Sequence, residues 1–143
     1  MTRLAVLGFG SSGQRHLATV QQRLKQPEIL IYSSQEIGTT SFATTSKLSE
    51  VTKFQPDAAI ISGMAPDRLA MVDALPSSTV GVLIEKPLAM NFLEGARVLE
   101  ALSERRTMVQ IAYNLRYSPS LREFKRRIDL RELGRLCGVR AET

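Results

Sequence analysis

The sequence predicts an α/β fold, in which helices cover both faces of a doubly wound parallel sheet. First, short apolar runs typical of strands alternate with helix-like segments along the 143 residues. Second, the connections between these runs are too long for hairpins, so we expect parallel strands joined by right-handed crossovers. Third, the first apolar run ends in three glycines, Gly8, Gly10 and Gly13, and a helix-like segment follows them.

Apolar patterns predict the elements of the first half in order. A strand covers residues 4–7, and a helix begins at Gly13, because apolar residues recur there at helical spacing until Pro27. The apolar run over residues 29–32 predicts a strand buried on both faces. Residues 33–46 are rich in serine, threonine and glycine, which predicts a loop.

The second half continues the alternation. Pro66 suits the first turn of a helix, and Asn91 suits an N-cap because Glu94 follows three residues later. The remaining predicted elements are a helix over 48–54, a strand over 57–62, a helix from Pro66, a strand over 79–84, a helix from 92 to about 105, a strand over 107–113, a helix from Ser118 and a strand over 134–141.

Composition is that of an ordinary globular domain, with 43% hydrophobic and 23% charged residues. No apolar stretch is long enough for a membrane span. The first strand begins almost at Met1, which predicts no signal peptide. Cys137 is the only cysteine, so no internal disulfide can form, and we expect a cytoplasmic location.

The net charge of +5 is concentrated in the last part of the chain. A basic surface can bind anions or nucleic acid, but no aromatic residues alternate with these charges as base stacking requires. We therefore expect no nucleic-acid partner. The alternatives are that the basic residues form a solvated helix face or a surface that meets protein outside this chain. The basic residues are Arg116, Arg122, Lys125, Arg126, Arg127, Arg131, Arg135 and Arg140.

The spacing Gly-x-Gly-x-x-Gly between a strand and a helix is typical of a dinucleotide-binding turn. Gly8 permits the tight turn, Gly10 lets the main chain approach a pyrophosphate, and Gly13 lets the helix pack closely on the strand. The free N–H groups and positive dipole end of the helix would hold the phosphate charge. A plain glycine-rich turn is the alternative interpretation.

Position in the sheet predicts the remaining site residues. Open α/β sheets bind ligands at the carboxyl ends of their strands, where the strand order reverses. The residues at these ends are Gly8, Phe9, Gly10, Ser11, Ser12, Ser33, Ser34, Ser62, Gly63, Glu85, Lys86, Pro87, Asn114 and Arg116.

Ser33 and Ser34 stand where an NAD site usually has a carboxylate for the ribose 2′-hydroxyl. Small hydroxyls leave room for a 2′-phosphate, so NADP is slightly favoured over NAD. Glu36 is expected to be too far along the chain to take the carboxylate role. An equally weighted alternative is that the two serines only begin a loop.

Lys86 is the side chain best placed for chemistry, because Pro87 holds it in an extended conformation at a strand end. Its ammonium could bind a substrate hydroxyl or the nicotinamide carboxamide, or move a proton. A surface lysine is the alternative, and a trans bond to Pro87 is the default expectation. His16 is expected to pack against a neighbouring strand, and a loop-capping role for Asn114 is as well supported as ligand binding.

Three separated segments together resemble the glucose–fructose oxidoreductase / inositol dehydrogenase (Gfo/Idh/MocA) family. They are the glycine turn continuing to Leu17, the segment from Glu85 to Leu88, and the segment from Tyr113 to Pro119. The stretch over 134–142 is similar to the strand by which that family enters its second domain. The resemblance therefore covers essentially the whole chain.

The resemblance implies an NAD(P)-dependent oxidoreductase that acts on a hydroxyl of a sugar, cyclitol or related small molecule. The glycines would bind the pyrophosphate, and Lys86 would lie beside nicotinamide and substrate and take part in catalysis. Asn114 and Arg116 would line the nicotinamide end. The resemblance divides the chain into a Rossmann domain over 1–132 and the first strand of a substrate domain over 133–143. It implies no metal site and a homo-oligomer at full length.

Two departures from the family pattern stand out. Gly63 and Met64 replace a common Asn-Pro step, and no histidine follows His16, although the family's second domain supplies an acid–base histidine. The chain is therefore expected to be a fragment or a natural truncation that binds dinucleotide, turns over little substrate and associates through an open edge. The alternatives are a non-catalytic nucleotide-binding sensor and a methyltransferase that uses S-adenosylmethionine.

Overall fold

The computed structural model describes residues 1–105, 107–132 and 134–140. Within these ranges the chain forms strands, α-helices and two short 3₁₀ helices, Ala65–Asp67 and Asn114–Tyr117. The main elements are β1 (Arg3–Leu7), α1 (Ser11–Arg23), β2 (Glu28–Tyr32), β3 (Ala43–Thr45), α2 (Leu48–Phe54), β4 (Ala58–Ile61), α3 (Arg68–Asp73), β5 (Gly81–Ile84), α4 (Phe92–Ser103), β6 (Met108–Ile111) and α5 (Pro119–Asp129).

The strands form one sheet in the order β3-β2-β1-β4-β5-β6, and every neighbouring pair is parallel. The chain runs outward from β1 to β3 and then returns to the other side of β1 with β4. The strand order therefore reverses between β1 and β4, which is where such sheets bind ligands. The predicted α/β fold with a doubly wound parallel sheet is confirmed.

The core lies on both faces of the sheet because successive side chains of β1 point in opposite directions. Ala5 and Leu7 join one buried cluster with residues of α2, α3 and α4, such as Val98. Leu4 and Val6 join a second cluster that includes Leu17 of α1. Full burial of a side chain such as Leu7 stabilises the fold by about 2 kcal/mol.

The sequence-based elements need four corrections. The helix α1 begins at Ser11, two residues before Gly13, and α4 ends at Ser103. The predicted loop over 33–46 contains the short strand β3, which pairs with β2. The strand predicted over 134–141 is absent from the described residues 134–140, and residue 141 lies outside the described residues.

The chain forms two compact units, one from Met1 to Ala112 and the other from Tyr113 onward. The first contains the whole sheet with α1 to α4. The second contains the 3₁₀ helix Asn114–Tyr117 and α5, which contact each other. None of the helices in the described parts of the chain is long and apolar enough to cross a membrane.

Candidate functional site

The turn between β1 and α1 is held in place by main-chain hydrogen bonds. Gly8 has a φ of +95°, a conformation that side chains rarely permit. Its N–H donates to Tyr32 O at 2.8 Å, and the neighbouring Leu7 O accepts from Ser62 N at 2.7 Å and from Gly63 N at 2.9 Å. A Cβ on Gly8 would overlap the main chain of Gly63. The turn therefore requires glycine for both conformation and space.

Gly13 lets α1 pack directly on this turn. A Cβ there would overlap Gly8 O and would lie 2.8 Å from the hydroxyl oxygen of Ser62. That hydroxyl donates to Gly8 O at 2.7 Å. Ser62, predicted as a cofactor ligand, thus uses its proton to fix the turn.

Gly10 and the start of α1 are open, in contrast to Gly8 and Gly13. A Cβ on Gly10 would contact none of the described residues within 4 Å. No side chain caps the helix, and its first turn, which starts with Ser11 and Ser12, contains no acidic residue. The first N–H groups of a helix have no intrahelical acceptor. This helix end therefore suits an anionic ligand such as a diphosphate.

A groove of about 590 Å³ runs along the carboxyl ends of β1, β2 and β4, which is a size typical of small-molecule sites. Sequence reasoning missed Ile37 and Phe42, which form part of an apolar wall; their position in a polar loop gave no periodic signal. The predicted residues that line the groove are Gly8, Phe9, Gly10, Ser33, Ser34, Ser62 and Gly63.

Ser33 and Ser34 differ in what their hydroxyls do. Ser33 Oγ donates to Gln35 O at 2.9 Å and accepts from Gln35 N at 3.1 Å, which closes a local turn. Ser34 is exposed at the groove. Glu36, expected to be too far along the chain for the ribose, also lines this groove.

Glu85 follows β5 and is 7% exposed. Its Oε1 accepts from His16 Nε2 at 2.8 Å and from Arg15 Nη2 at 3.4 Å, and its Oε2 accepts from Lys86 N at 3.2 Å. A buried carboxylate needs such partners because its desolvation is costly. His16 therefore pairs with this carboxylate, and Glu85, predicted as a cofactor ligand, links α1 to the turn after β5.

Arg68, at the first position of α3, is a further buried charge that sequence reasoning missed, and it is 2% exposed. Its guanidinium donates to Glu85 O and Pro87 O, and to Gly63 O at 3.3 Å. Burial lowers the pKa of Arg68, and the charge of Glu85 opposes that shift. An arginine at the start of a short helix carries no sequence signal that predicts burial.

Lys86 is exposed and does not line the groove. The bond between Lys86 and Pro87 is cis, which corrects the default expectation of a trans bond. Asn114 and Arg116 lie in the second compact unit, where Arg116 lines a separate apolar groove beside α5. The structure thus brings together the glycine turn, Ser33, Ser34 and Ser62, while the roles of Lys86, Asn114 and Arg116 stay predictions.

Comparison with known proteins decides the family. The family model GFO_IDH_MocA, an oxidoreductase family with an NAD-binding Rossmann fold, matches residues 2–113. The chain belongs to this family. The resemblance seen in the sequence is therefore confirmed, and residues 2–113 match the NAD-binding domain of the Gfo/Idh/MocA family.

A curated relative of this Gfo/Idh/MocA chain is inositol 2-dehydrogenase 3 of Saccharopolyspora erythraea. It is 26% identical over 141 residues, which cover 92% of this chain and 42% of the relative. Among solved structures, the WlbA dehydrogenase of Bordetella pertussis in complex with NADH and UDP-GlcNAcA has a TM-score of 0.78 at 20% identity. That match covers 93% of this chain and 43% of WlbA.

A second solved structure is scyllo-inositol dehydrogenase of Lactobacillus casei, with bound NAD(H) and scyllo-inositol. Its TM-score is 0.75 at 15% identity, and the match covers 94% of this chain and 42% of that one. These structural likenesses support the Rossmann fold. The Gfo/Idh/MocA chain spans less than half the length of these relatives.

Proposed function

We propose that this chain supplies the nicotinamide-dinucleotide site of an oxidoreductase. The enzyme would transfer hydride between NAD(P) and a hydroxyl or carbonyl group of a sugar, cyclitol or related small molecule. The observation that carries the proposal is the uncapped, carboxylate-free start of α1, which opens on the groove. A diphosphate supplies the negative charge that this helix end lacks.

Four consecutive positions, Gly10, Ser11, Ser12 and Gly13, would bind the diphosphate through main-chain N–H groups. Ser34 would face the adenosine ribose from the groove. Bound nicotinamide supplies the group that accepts or gives the hydride. Lys86 would orient the substrate hydroxyl and hold or move its proton.

The form of the cofactor depends on the groove beside β2. Ser33 and Ser34 leave room for the 2′-phosphate of NADP, the form that the sequence slightly favours. Glu36 lines the same groove and would repel that phosphate. Solved relatives are described with NADH or NAD(H). We therefore propose NAD(H) as the preferred form, with Glu36 as the residue that selects it.

The proposed substrate class is sugar-like, and the support comes from the relatives. The solved relatives contain bound scyllo-inositol or UDP-GlcNAcA, which are polyhydroxylated compounds. Asn114 and Arg116 would contribute to the nicotinamide end of the site and to substrate binding. The complete enzyme would be a cytoplasmic homo-oligomer, with the substrate domain beginning near residue 133 and no nucleic-acid or membrane partner.

Titration calorimetry on the chain tests the dinucleotide site. We expect NAD⁺ and NADH to bind, and NADP⁺ and NADPH to bind more weakly because Glu36 faces the added phosphate. A Glu36→Gln variant should reduce the difference in affinity between NAD(H) and NADP(H). The measurement contradicts the proposal if none of the four dinucleotides binds to folded protein.

A second candidate is a nucleotide-binding module that performs no redox chemistry. The exposure of Lys86, and its absence from the groove lining, favour this candidate. It predicts dinucleotide binding without hydride transfer to any polyol in a longer form of the protein. Loss of hydride transfer on Lys86→Ala in such a longer form would rule it out.

A further inference from the structure

Arg68 occupies the space behind the turn that carries Lys86. Its guanidinium donates to the carbonyl oxygens of the residues on both sides of that lysine, Glu85 and Pro87. It also donates to Gly63 O at 3.3 Å, and so joins the turn after β5 to the turn after β4. A planar guanidinium has five donors in a fixed arrangement, which suits it to hold several carbonyls at once.

The same turn is held from its other side by the carboxylate of Glu85. That carboxylate accepts from His16 of α1 at 2.8 Å and from the main-chain N–H of Lys86 at 3.2 Å. The main chain around Lys86 is therefore fixed from α3 through Arg68 and from α1 through Glu85. The side chain of Lys86 itself is exposed and is held by neither.

We propose that Arg68 is a positioning residue for Lys86. Arg68 fixes the main chain on both sides of the lysine and thereby sets where the Lys86 ammonium group can reach. This inference rests on the proposed function, in which Lys86 serves the nicotinamide end of the site. Arg68 contacts no ligand in this account. Its expected effect on nicotinamide binding passes through Lys86.

A double-mutant cycle on the chain tests this coupling. NADH and ADP-ribose are the probes, because ADP-ribose contains the diphosphate but lacks nicotinamide. Lys86→Ala should weaken NADH binding by about tenfold, as expected for loss of one charge-assisted hydrogen bond, and should leave ADP-ribose unchanged. Arg68→Met should have the same selective effect. The double variant should bind NADH no more weakly than either single variant, because the two residues act as one unit.

Arg105 provides a matched control. It is also an arginine that donates to main-chain carbonyls, Leu75 O and Ala101 O, and among the described residues it donates no hydrogen bond to the turn after β5. Arg105→Met should lower the stability of the fold without changing the ratio of the affinities for NADH and ADP-ribose. Arg68→Lys keeps the charge and some of the hydrogen-bond donors, so it should lose less NADH affinity than Arg68→Met. If Arg68→Met does not fold, Arg68→Lys takes its place in the cycle.

A second measurement is independent of any nucleotide. Reductive methylation with ¹³C-formaldehyde labels the lysines, and the spectrum of Lys86→Ala identifies the signal of Lys86. That signal should shift in Arg68→Met, return towards its original position in Arg68→Lys, and stay unchanged in Arg105→Met. If neither NADH nor ADP-ribose binds, the proposed function fails, and the methyl signal alone decides the role of Arg68. An unshifted signal, or additive effects in the cycle, would overturn the proposal.

Discussion

Gly8, Gly10 and Gly13 belong to one motif but have different surroundings. Main-chain atoms crowd Gly8 and Gly13, whereas the space beside Gly10 is empty. The first two are therefore required by the fold, whereas the fold does not require Gly10; we propose that a ligand approaching the start of α1 does.

Alanine substitutions separate these two requirements. Gly8→Ala should lower the free energy of unfolding by roughly 3 kcal/mol or more, because it combines a positive φ with overlap at Gly63. Gly10→Ala should change that free energy by less than about 1 kcal/mol, since its extended backbone accepts alanine. It should nevertheless weaken NADH binding by about tenfold. Urea unfolding and calorimetry measure both effects; an unaltered affinity in Gly10→Ala would contradict the assignment of the diphosphate position.

Glu85 is the second position at which stability can be tested. Glu85→Ala should lower the free energy of unfolding by about 3 kcal/mol, because it removes the acceptor of His16 and leaves the buried charge of Arg68 uncompensated. Arg15→Ala is the control and should cost less than about 0.5 kcal/mol, since that side chain is 63% exposed. Equal losses in urea unfolding of the two variants would contradict this account.

Residue roles were predictable from sequence only where a local pattern fixes them. The glycine spacing identified the turn, and Asn91 caps α4, with its Oδ1 accepting from Glu94 N at 3.0 Å. His16 and Glu85 are 69 positions apart in the chain, and Arg68 bonds to carbonyls 17 and 19 positions away. Such contacts depend on how strands and helices meet, so no spacing predicts them.

At the scale of elements, the strands with continuous apolar runs were predicted well, and β3 was missed. This strand has only three residues, Ala43–Thr45, and none of them is buried. It forms because β2 offers an unpaired edge, and the bond from Ser33 N to Thr45 O extends the pairing. Tertiary pairing therefore overrides a polar sequence that favours a loop. The segment 134–140 shows the reverse case: apolar residues are present, but these described residues form no strand.

The helix α5 allows a prediction about pH. Hydrogen bonds from Arg126, and then from Arg127, lower the pKa of Glu123 from 4.5 to about 2. Because the folded pKa is depressed, the stabilisation is complete above the ordinary pKa and is lost as pH falls from about 4.5 to about 2. Carboxyl ¹³C NMR should show Glu123 titrating near pH 2. A midpoint near 4.5 would show that the two arginines do not bind this carboxylate in solution.

At the scale of the whole molecule, the reversal of strand order between β1 and β4 determines where a ligand can bind. The groove lies at this reversal, and the rule for open α/β sheets predicted its place from the order of elements alone. The rule did not predict which strand ends line the groove. The turn after β5 carries Lys86 but does not line the groove. Its carbonyl oxygens accept hydrogen bonds from Arg68, and the Lys86 N–H donates to the Glu85 carboxylate.

The central claim is that the start of α1 receives the diphosphate of a nicotinamide dinucleotide. The most direct measurement is a titration of ¹⁵N-labelled chain with NADH, followed through the main-chain amide signals. We predict the largest shifts at Gly10, Ser11, Ser12 and Gly13, with smaller shifts at Ser34. Largest shifts on α5 instead, with the amides of residues 10–13 unchanged, would contradict the account.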